Sequence, residues 1–285
     1  MGNIKGVRSR LVTGGLAAVT AGLVVGAFAL SGTATGATEG DAADGTGKHR
    51  RPTIVLEHGA FADGSSWNRV TAELKADGYP VIAAANPLRG PASDAALRTV
   101  LGHVDGPKIL VGHSYGGNVI SQAATDDPQV KALVYVAGFL PAPGESALEL
   151  TGKYPGSTLP GALDPVTYQQ ADGSTAIDLY IQQDKFRQQF AADVPAGEAA
   201  LMAAAQRPIA QAALEEKATT AAWKTKPSWD IVTTRDLNIP AAVQCFMAER
   251  AHARTVEVAA SHSVAVSHPH LVADVIERAA RATVR

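Results

Sequence analysis

The chain runs the apolar stretch KILV, Lys108 to Val111, directly into Gly112-His113-Ser114-Tyr115-Gly116-Gly117 and then into the helical run NVISQAA. A Gly-x-Ser-x-Gly signature is weak alone, because glycine and serine are common. Set between a buried strand and a helix, it has the context of a nucleophile elbow. The serine there sits on a strained tight turn, which needs small neighbours at positions 112 and 116. The turn lifts the hydroxyl clear of the sheet, and the following helix aims its positive end at developing negative charge. A chain built around such a turn is expected to form a parallel sheet with Ser114 at its carboxyl edge.

The remaining pattern fits that expectation. Thr53 to Leu56 (TIVL), Val81 to Ala85, Ala132 to Val136 (ALVYV), Trp229 to Thr233 (WDIVT) and Thr255 to Ala259 (TVEVA) read as strands. Ser66 to Ala76, a segment capped by Ser93 and running to His103, Asn118 to Ala124, Ala241 to Ala251, and Pro269 to Ala282 read as helices. Near-continuous apolar strands separated by helices predict an α/β fold, a mostly parallel sheet covered on both faces. The rhythm breaks at Phe139. A Pro/Gly-rich stretch follows (141–160), and 175–222 reads as mostly helical. About 85 residues between two strands is too long for a plain connection. The segment of about 139–226 is therefore expected to be a mainly helical cap, free to move on its PAPGES opening.

Residues 1–37 carry Lys5, Arg8 and Arg10, then an apolar run from Leu11 to Leu30, then small residues. That order predicts a signal peptide and a secreted protein. An uncleaved membrane anchor is the alternative, since about 20 apolar residues span a bilayer. Glycines 14, 15, 22 and 26 weaken it. Residues 38–51 read as a disordered linker, and 52–285 as one domain. No membrane span is expected in the mature protein. The formal charge of −2 gives no basic surface for nucleic acid. The one cysteine, Cys245, is expected to be a buried apolar residue. No Cys/His spacing suits a metal, and no motif calls for a cofactor.

A serine hydroxyl needs a base. Of eight histidines, His262 follows the last strand, at the edge where parallel sheets place working groups. His268 is second in order. His113 lies inside the elbow, and His58 reads as a loop brace. The base needs a carboxylate to fix its tautomer. Asp236, in TTRDLNIP after a strand, suits that role better than Asp230 at the strand's start. For the oxyanion, Tyr115 N–H is one expected donor and Ala60 N–H the other, with Phe61 N–H as the rival. Glu57, just before His58-Gly59, reads either as a paired carboxylate or as an acid tuning His58.

HGAFADGSSW, GHSYGG, TTRDLNIP and ASHSVAVSHP together resemble the α/β-hydrolase superfamily over roughly 53–283. The likeness is greatest to the small capped group of plant salicylate-type methylesterases and hydroxynitrile lyases. The resemblance implies the α/β-hydrolase fold, a Ser114–His262–Asp236 triad, and Ala60 with Tyr115 as oxyanion hole. The lyases carry a threonine beside that hole and a lysine after the histidine. Gly59 and Ser263 stand there in this chain and point away from lyase chemistry. The expected activity is that of a carboxylesterase-type serine hydrolase on a small-molecule ester. Amide, lactone or C–C hydrolysis, or a non-catalytic ligand-binding role, are the alternatives. Phe61, Phe186 and Phe190 are candidates for the pocket wall, with Tyr180, Met202 and Trp223 as further cap aromatics or apolar residues.

Overall fold

Val, Ile and Leu dominate the strand segments, and such runs are stable where both faces are covered. In a computed structural model that describes residues 51–284, β1 (Thr53–Glu57), β2 (Val81–Ala84), β3 (Lys108–His113), β4 (Val130–Val136), β8 (Ser228–Thr233) and β9 (Arg254–Val258) form a six-stranded sheet in the order β2-β1-β3-β4-β8-β9. Every pairing in it is parallel. The two-residue period of a strand sorts its side chains between two cores. Ile54, Leu56, Ile109, Val111, Val134 and Val136 face one way, and Val55, Leu110, Leu133 and Tyr135 the other.

The first core is closed by α1 (Asn68–Ala76) and α10 (Pro269–Thr283), with α9 (Val264–Ser267) between α1 and the start of α10. Helix α10 begins with Pro269 at its first turn, where the missing N–H costs nothing. It buries Val272, Val275, Ile276 and Ala279 at helical spacing. The second core is closed by α2 (Pro91–Gly102), α3 (Tyr115–Ala123) and α8 (Ala241–Arg250). Helix α2 starts two residues before the predicted cap. Ser93 is inside it and accepts the Arg89 backbone N–H at 3.1 Å. Cys245, expected to be buried, is only half-buried on α8.

The insertion lies between β4 and β8. It contains α4 (Ala147–Thr151), α5 (Gln183–Phe190), α6 (Ala196–Ala205) and α7 (Gln211–Glu215). It also holds a three-stranded antiparallel sheet of β5 (Leu163–Gln169), β6 (Thr175–Ile181) and β7 (Ile209–Ala210). The helical reading of 175–222 is corrected at its start. Ile177, Leu179 and Ile181 alternate along a strand, and Asp172-Gly173-Ser174 forms the hairpin turn. Among the described residues no helix is long and apolar enough to cross a membrane. The expected signal peptide and most of the expected linker lie outside the described residues.

The turn from β3 into α3 depends on backbone meeting backbone. A Cβ on Gly116 would lie 2.3 Å from the Glu57 carbonyl oxygen, and one on Gly112 would lie 2.6 Å from the Gly116 carbonyl. Neither neighbour is a flexible side chain that yields. Gly116→Ala is expected to destabilise the fold by at least about 1–3 kcal/mol, the cost of overpacking. Gly102→Ala, where a Cβ meets nothing within 4 Å, should leave stability near wild type. Urea unfolding midpoints of the two variants check the contrast, and equal midpoints would refute it.

Candidate active site

Ser114 follows β3 with φ +53° and ψ −123°, a left-handed conformation that a residue with a Cβ adopts only under constraint. Its N–H donates to the Val136 carbonyl at 3.2 Å. Its own carbonyl accepts from Gly117 N–H at 2.9 Å and Phe139 N–H at 3.1 Å. These bonds hold the strained turn. Gly59 packs against it so closely that a Cβ there would meet Ser114 Cβ at 2.6 Å. A threonine at 59 has no room without a shift.

Two backbone donors compete for the place beside the serine. Phe61 N–H is taken, donating to the Arg207 carbonyl at 3.0 Å, and Phe61 holds φ +60°. Ala60 lines the cavity together with Tyr115 and Ser114. Of the two rivals, Ala60 is therefore the one whose N–H is not committed to Arg207. His58 braces this loop. Its Nδ1 donates to the Gly59 carbonyl at 2.9 Å, and its Nε2 accepts the Asn86 backbone N–H at 3.0 Å. Both ring nitrogens are thereby occupied, and burial lowers the ring's pKa.

His262 lies beyond β9, and its Nδ1 is 2.6 Å from Asp236 Oδ2, with both side chains buried. Asp236 Oδ1 also accepts the N–H groups of Asn238 (2.7 Å) and Ile239 (3.0 Å). Its Oδ2 accepts from Thr233 Oγ1 (2.9 Å) and Gln244 Nε2 (3.1 Å). All these partners are donors, which suits an anionic carboxylate. Thr233 and Gln244 are site residues that sequence reading did not single out. Gln244 sits on α8 eight positions from Asp236, and only its unexpected polarity in a buried helix face signals it. Asp230, the rejected carboxylate, is fully buried with both oxygens unpartnered, and burial raises its pKa well above the usual range.

The other histidines separate cleanly. His113 Nε2 donates to the His262 carbonyl at 2.9 Å, and the two rings pack at 4.7 Å. Burial, with the neighbouring His262, pushes the His113 pKa down to about 3, so its ring is neutral. His268 lies partly exposed, 2.8 Å from Ser267 Oγ and 3.8 Å from Asp193. His103 caps α2 at the surface.

Ser114 and His262 open on one cavity of about 310 Å³. Among the described residues no hydrogen bond joins the Ser114 hydroxyl to the imidazole. The cap contributes Leu148, Leu159, Leu163, Leu179 and Leu214 to the wall, and the core contributes Phe61, Phe139 and Ile239. Phe186 and Phe190 are not in that wall. Both are buried, with ring centroids 5.0 Å apart and planes tilted by 35°, and Phe190 packs edge-on against the His262 ring at 4.9 Å. Met202 lines a separate surface groove that shares Phe61 with the cavity. Trp223 donates to the Pro141 carbonyl and is buried in the cap's base.

Glu57 is buried at the carboxyl end of β1 with Oε2 unpartnered. Among the described residues it is neither salt-bridged nor bonded to His58. Burial, with the charge of Asp94 adding to it, pushes its pKa up to about 8. Asp94 is raised to about 7, chiefly by burial.

The chain belongs to the Alpha/beta hydrolase family, a profile of which matches residues 54–275. The resemblance read from the motifs is borne out, and esterases of this fold are among the structural neighbours. A carbendazim hydrolyzing esterase of Nocardioides sp. (strain SG-4G) is 32% identical over 134 residues, covering 42% of this chain and 52% of that protein. A pyrethroid hydrolase of Sphingobium wenxiniae (strain DSM 21828 / CGMCC 1.7748 / JZ-1) is 31% identical over 158 residues, covering 50% and 55%. The chain thus spans about half the length of the curated relatives it matches. The crystal structure of polyneuridine aldehyde esterase superposes with a TM-score of 0.71 over 80% of this chain and 98% of the other, at 18% identity. That last likeness is one of fold.

Glu57 generates a pH prediction. An acid whose folded pKa is raised stabilises the fold below its unfolded pKa and loses that contribution as pH rises toward the folded value. The window here runs from the ordinary 4.5 to about 8. Glu57→Gln removes the titration and keeps the shape. The melting temperature of the variant relative to wild type should rise through that window and level off above it. A difference that does not change with pH would show that Glu57 does not titrate there.

Proposed function

We propose that this chain is a secreted serine esterase that cleaves uncharged, apolar carboxylic esters. The observation that carries the reading is the buried His262–Asp236 pair at 2.6 Å opening on the cavity that also holds Ser114. Ser114 Oγ attacks the ester carbonyl carbon, and His262 Nε2 takes the hydroxyl proton. The Ser114–His262 hydrogen bond closes as substrate seats, as such bonds do in many hydrolases. Negative charge develops on the carbonyl oxygen, where Ala60 and Tyr115 N–H groups donate to it. Each such donor contributes about 3–4 kcal/mol of transition-state stabilisation. His262 then protonates the leaving alcohol. Water, deprotonated by the same imidazole, releases the acid from Ser114. Asp236 holds the tautomer and offsets the imidazolium charge, and His113 stays neutral while its N–H fixes the His262 backbone.

The cavity wall supports the substrate class. Its lining is mainly apolar and, among the described residues, includes no lysine or arginine, so no fixed cationic side chain in it pairs with a substrate carboxylate. Its one carboxylate, Glu215, is exposed. The names of the two relatives, one an esterase and one a pyrethroid hydrolase, favour the same bond class. Secretion rests on the basic head and apolar run of residues 1–37. N-terminal sequencing of protein recovered from the medium checks it, and a mature start before residue 30 would refute cleavage at the small-residue stretch.

Ser114→Ala and His262→Ala should each lower turnover of a neutral ester by at least about 10³-fold, without additivity in the double variant. Wild type should be labelled by a fluorophosphonate and Ser114→Ala should not. Asp236→Asn should lower kcat by roughly 10⁴-fold, the size of the effect in a serine-protease triad. Retention of more than a tenth of the activity in Ser114→Ala would remove the serine from its role. Neutral esters should also exceed anionic half-esters of equal length in kcat/KM by at least about tenfold, one unpaired buried charge costing more than 1.4 kcal/mol. A preference for the anionic series would overturn the substrate class.

A further inference from the structure

The segment that carries His262 is not held by the sheet alone. Strand β9 is an edge strand, and its ladder with β8 ends at Val258. Beyond it the core contributes three anchors to the backbone: Arg235 N–H to the Ala260 carbonyl at 3.1 Å, His113 Nε2 to the His262 carbonyl at 2.9 Å, and the Arg69 guanidinium of α1 to the Val266 carbonyl at 2.8 Å. The residues on either side of the histidine are gripped by the cap. Ser261 N–H donates to Asp193 Oδ2 at 3.0 Å, and Ser261 Oγ donates to Asp193 Oδ1. Ser267 Oγ donates to Asp193 Oδ2 at 3.1 Å. The Phe190 carbonyl accepts from Ser263 N–H at 3.0 Å and Ser263 Oγ at 2.9 Å. The His262 ring packs against both the His113 ring, from the core, and the Phe190 ring, from the cap, and those two also meet edge-on at 6.2 Å.

We propose that Asp193 is a positioning residue for the base: through Ser261 and Ser267 it fixes the backbone on which His262 is aimed, so the cap is part of the mount of the imidazole as well as the wall of the pocket. This rests on the esterase reading. Asp193 lies between α5 and α6, far from β9 in sequence. Its carboxylate is the only side chain that accepts from both Ser261 and Ser267 among the described residues. Both of its oxygens are engaged, and His268 Nδ1 lies 3.8 Å from Oδ2. Releasing this grip leaves the His262–Asp236 bond intact in composition but loosens the loop that aims it. A misplacement of about 1 Å in a reacting group costs on the order of 100-fold.

Asp193→Ala, Asp193→Asn and Ser261→Ala, each made in the full chain, test this. Asp193→Ala should lower kcat about 10- to 100-fold with KM within about twofold. Asp193→Asn, which keeps one accepting oxygen, should fall between it and wild type. The double variant Asp193→Ala/Ser261→Ala should be no slower than Asp193→Ala, because the two act through one contact. The downfield proton resonance of the His262 Nδ1–H should be sharp in wild type and broadened in Asp193→Ala. Wild-type kcat in variants that remain folded, even with a lower Tm, would overturn the proposal. So would a rise in KM alone, which would make Asp193 a substrate-pocket residue. If Asp193→Ala fails to fold, Asp193→Asn and Ser261→Ala carry the same comparison. If wild type itself neither turns over esters nor takes the fluorophosphonate, the esterase reading fails, and the proton resonance still decides the positioning role.

Discussion

The fold turns on one contact without side chains: Gly116 at the start of α3 against the Glu57 carbonyl at the end of β1, where a Cβ would come within 2.3 Å. That approach fixes the distance between the β1 loop and the β3–α3 turn. The loop carries Ala60 and the turn carries Tyr115, so the same contact sets the spacing of the two candidate oxyanion donors. It also leaves Ser114 its left-handed conformation, held by Val136, Gly117 and Phe139 backbone groups. The strain at one serine is supported by three backbone bonds, from the first turn of α3 and from the end of β4 and the residues just after it, and the hydroxyl emerges at the carboxyl edge of the sheet.

Three carboxylates buried in or just beyond the strands follow different rules. Removing an ionised carboxylate from water is unfavourable unless its oxygens find donors. Asp236 finds them in Thr233, Asn238, Ile239, Gln244 and His262. Asp230 and Glu57 have unpartnered oxygens and raised pKa values. The carboxyl end of β8 supplies a turn of free N–H groups and a facing amide from α8. Its middle, paired with Tyr135 and Thr255, supplies none. Position along the strand therefore decides which aspartate is equipped to orient an imidazole.

Most of the core was legible in the sequence because parallel strands are apolar runs and helices between them are periodic. KILV, ALVYV and WDIVT each became central strands. The hairpin of β5 and β6 was not, because Thr175 to Ile181 mixes Asp178 and Tyr180 into its alternation and lies half-exposed on the cap. Its ADGS turn was the usable signal. At the site, the elbow, His262 and Asp236 stand out through their places after strands. Gln244, Thr233 and Asp193 do not, since each acts through a tertiary contact that no local pattern records. Phe186 and Phe190 read as pocket wall from sequence because they are aromatic residues of the cap insertion. Phe190 packs edge-on against the His262 ring with Phe186 behind it, while leucines line the cavity.

The PAPGES stretch looks like a hinge by composition, yet its groups are tied down. Glu145 pairs with Arg250 on α8 through both oxygens at 2.7 Å and also accepts the Ala142 N–H. Gly144 N–H donates to the Ala218 carbonyl, and Ala218 N–H returns to Glu145. The opposite side of the cap is bound to the His262 loop through Phe190 and Asp193. A cap anchored at its opening and at the His262 loop cannot swing away as a rigid lid without breaking charge-assisted bonds at both places. Access to the cavity then has to come from smaller elements between those anchors. The candidates are the lining side chains that also reach the surface, Leu148, Leu214 and Glu215, carried on the short helices α4 and α7. In such an arrangement rigidity around the imidazole and permeability to substrate are supplied by different parts of one insertion.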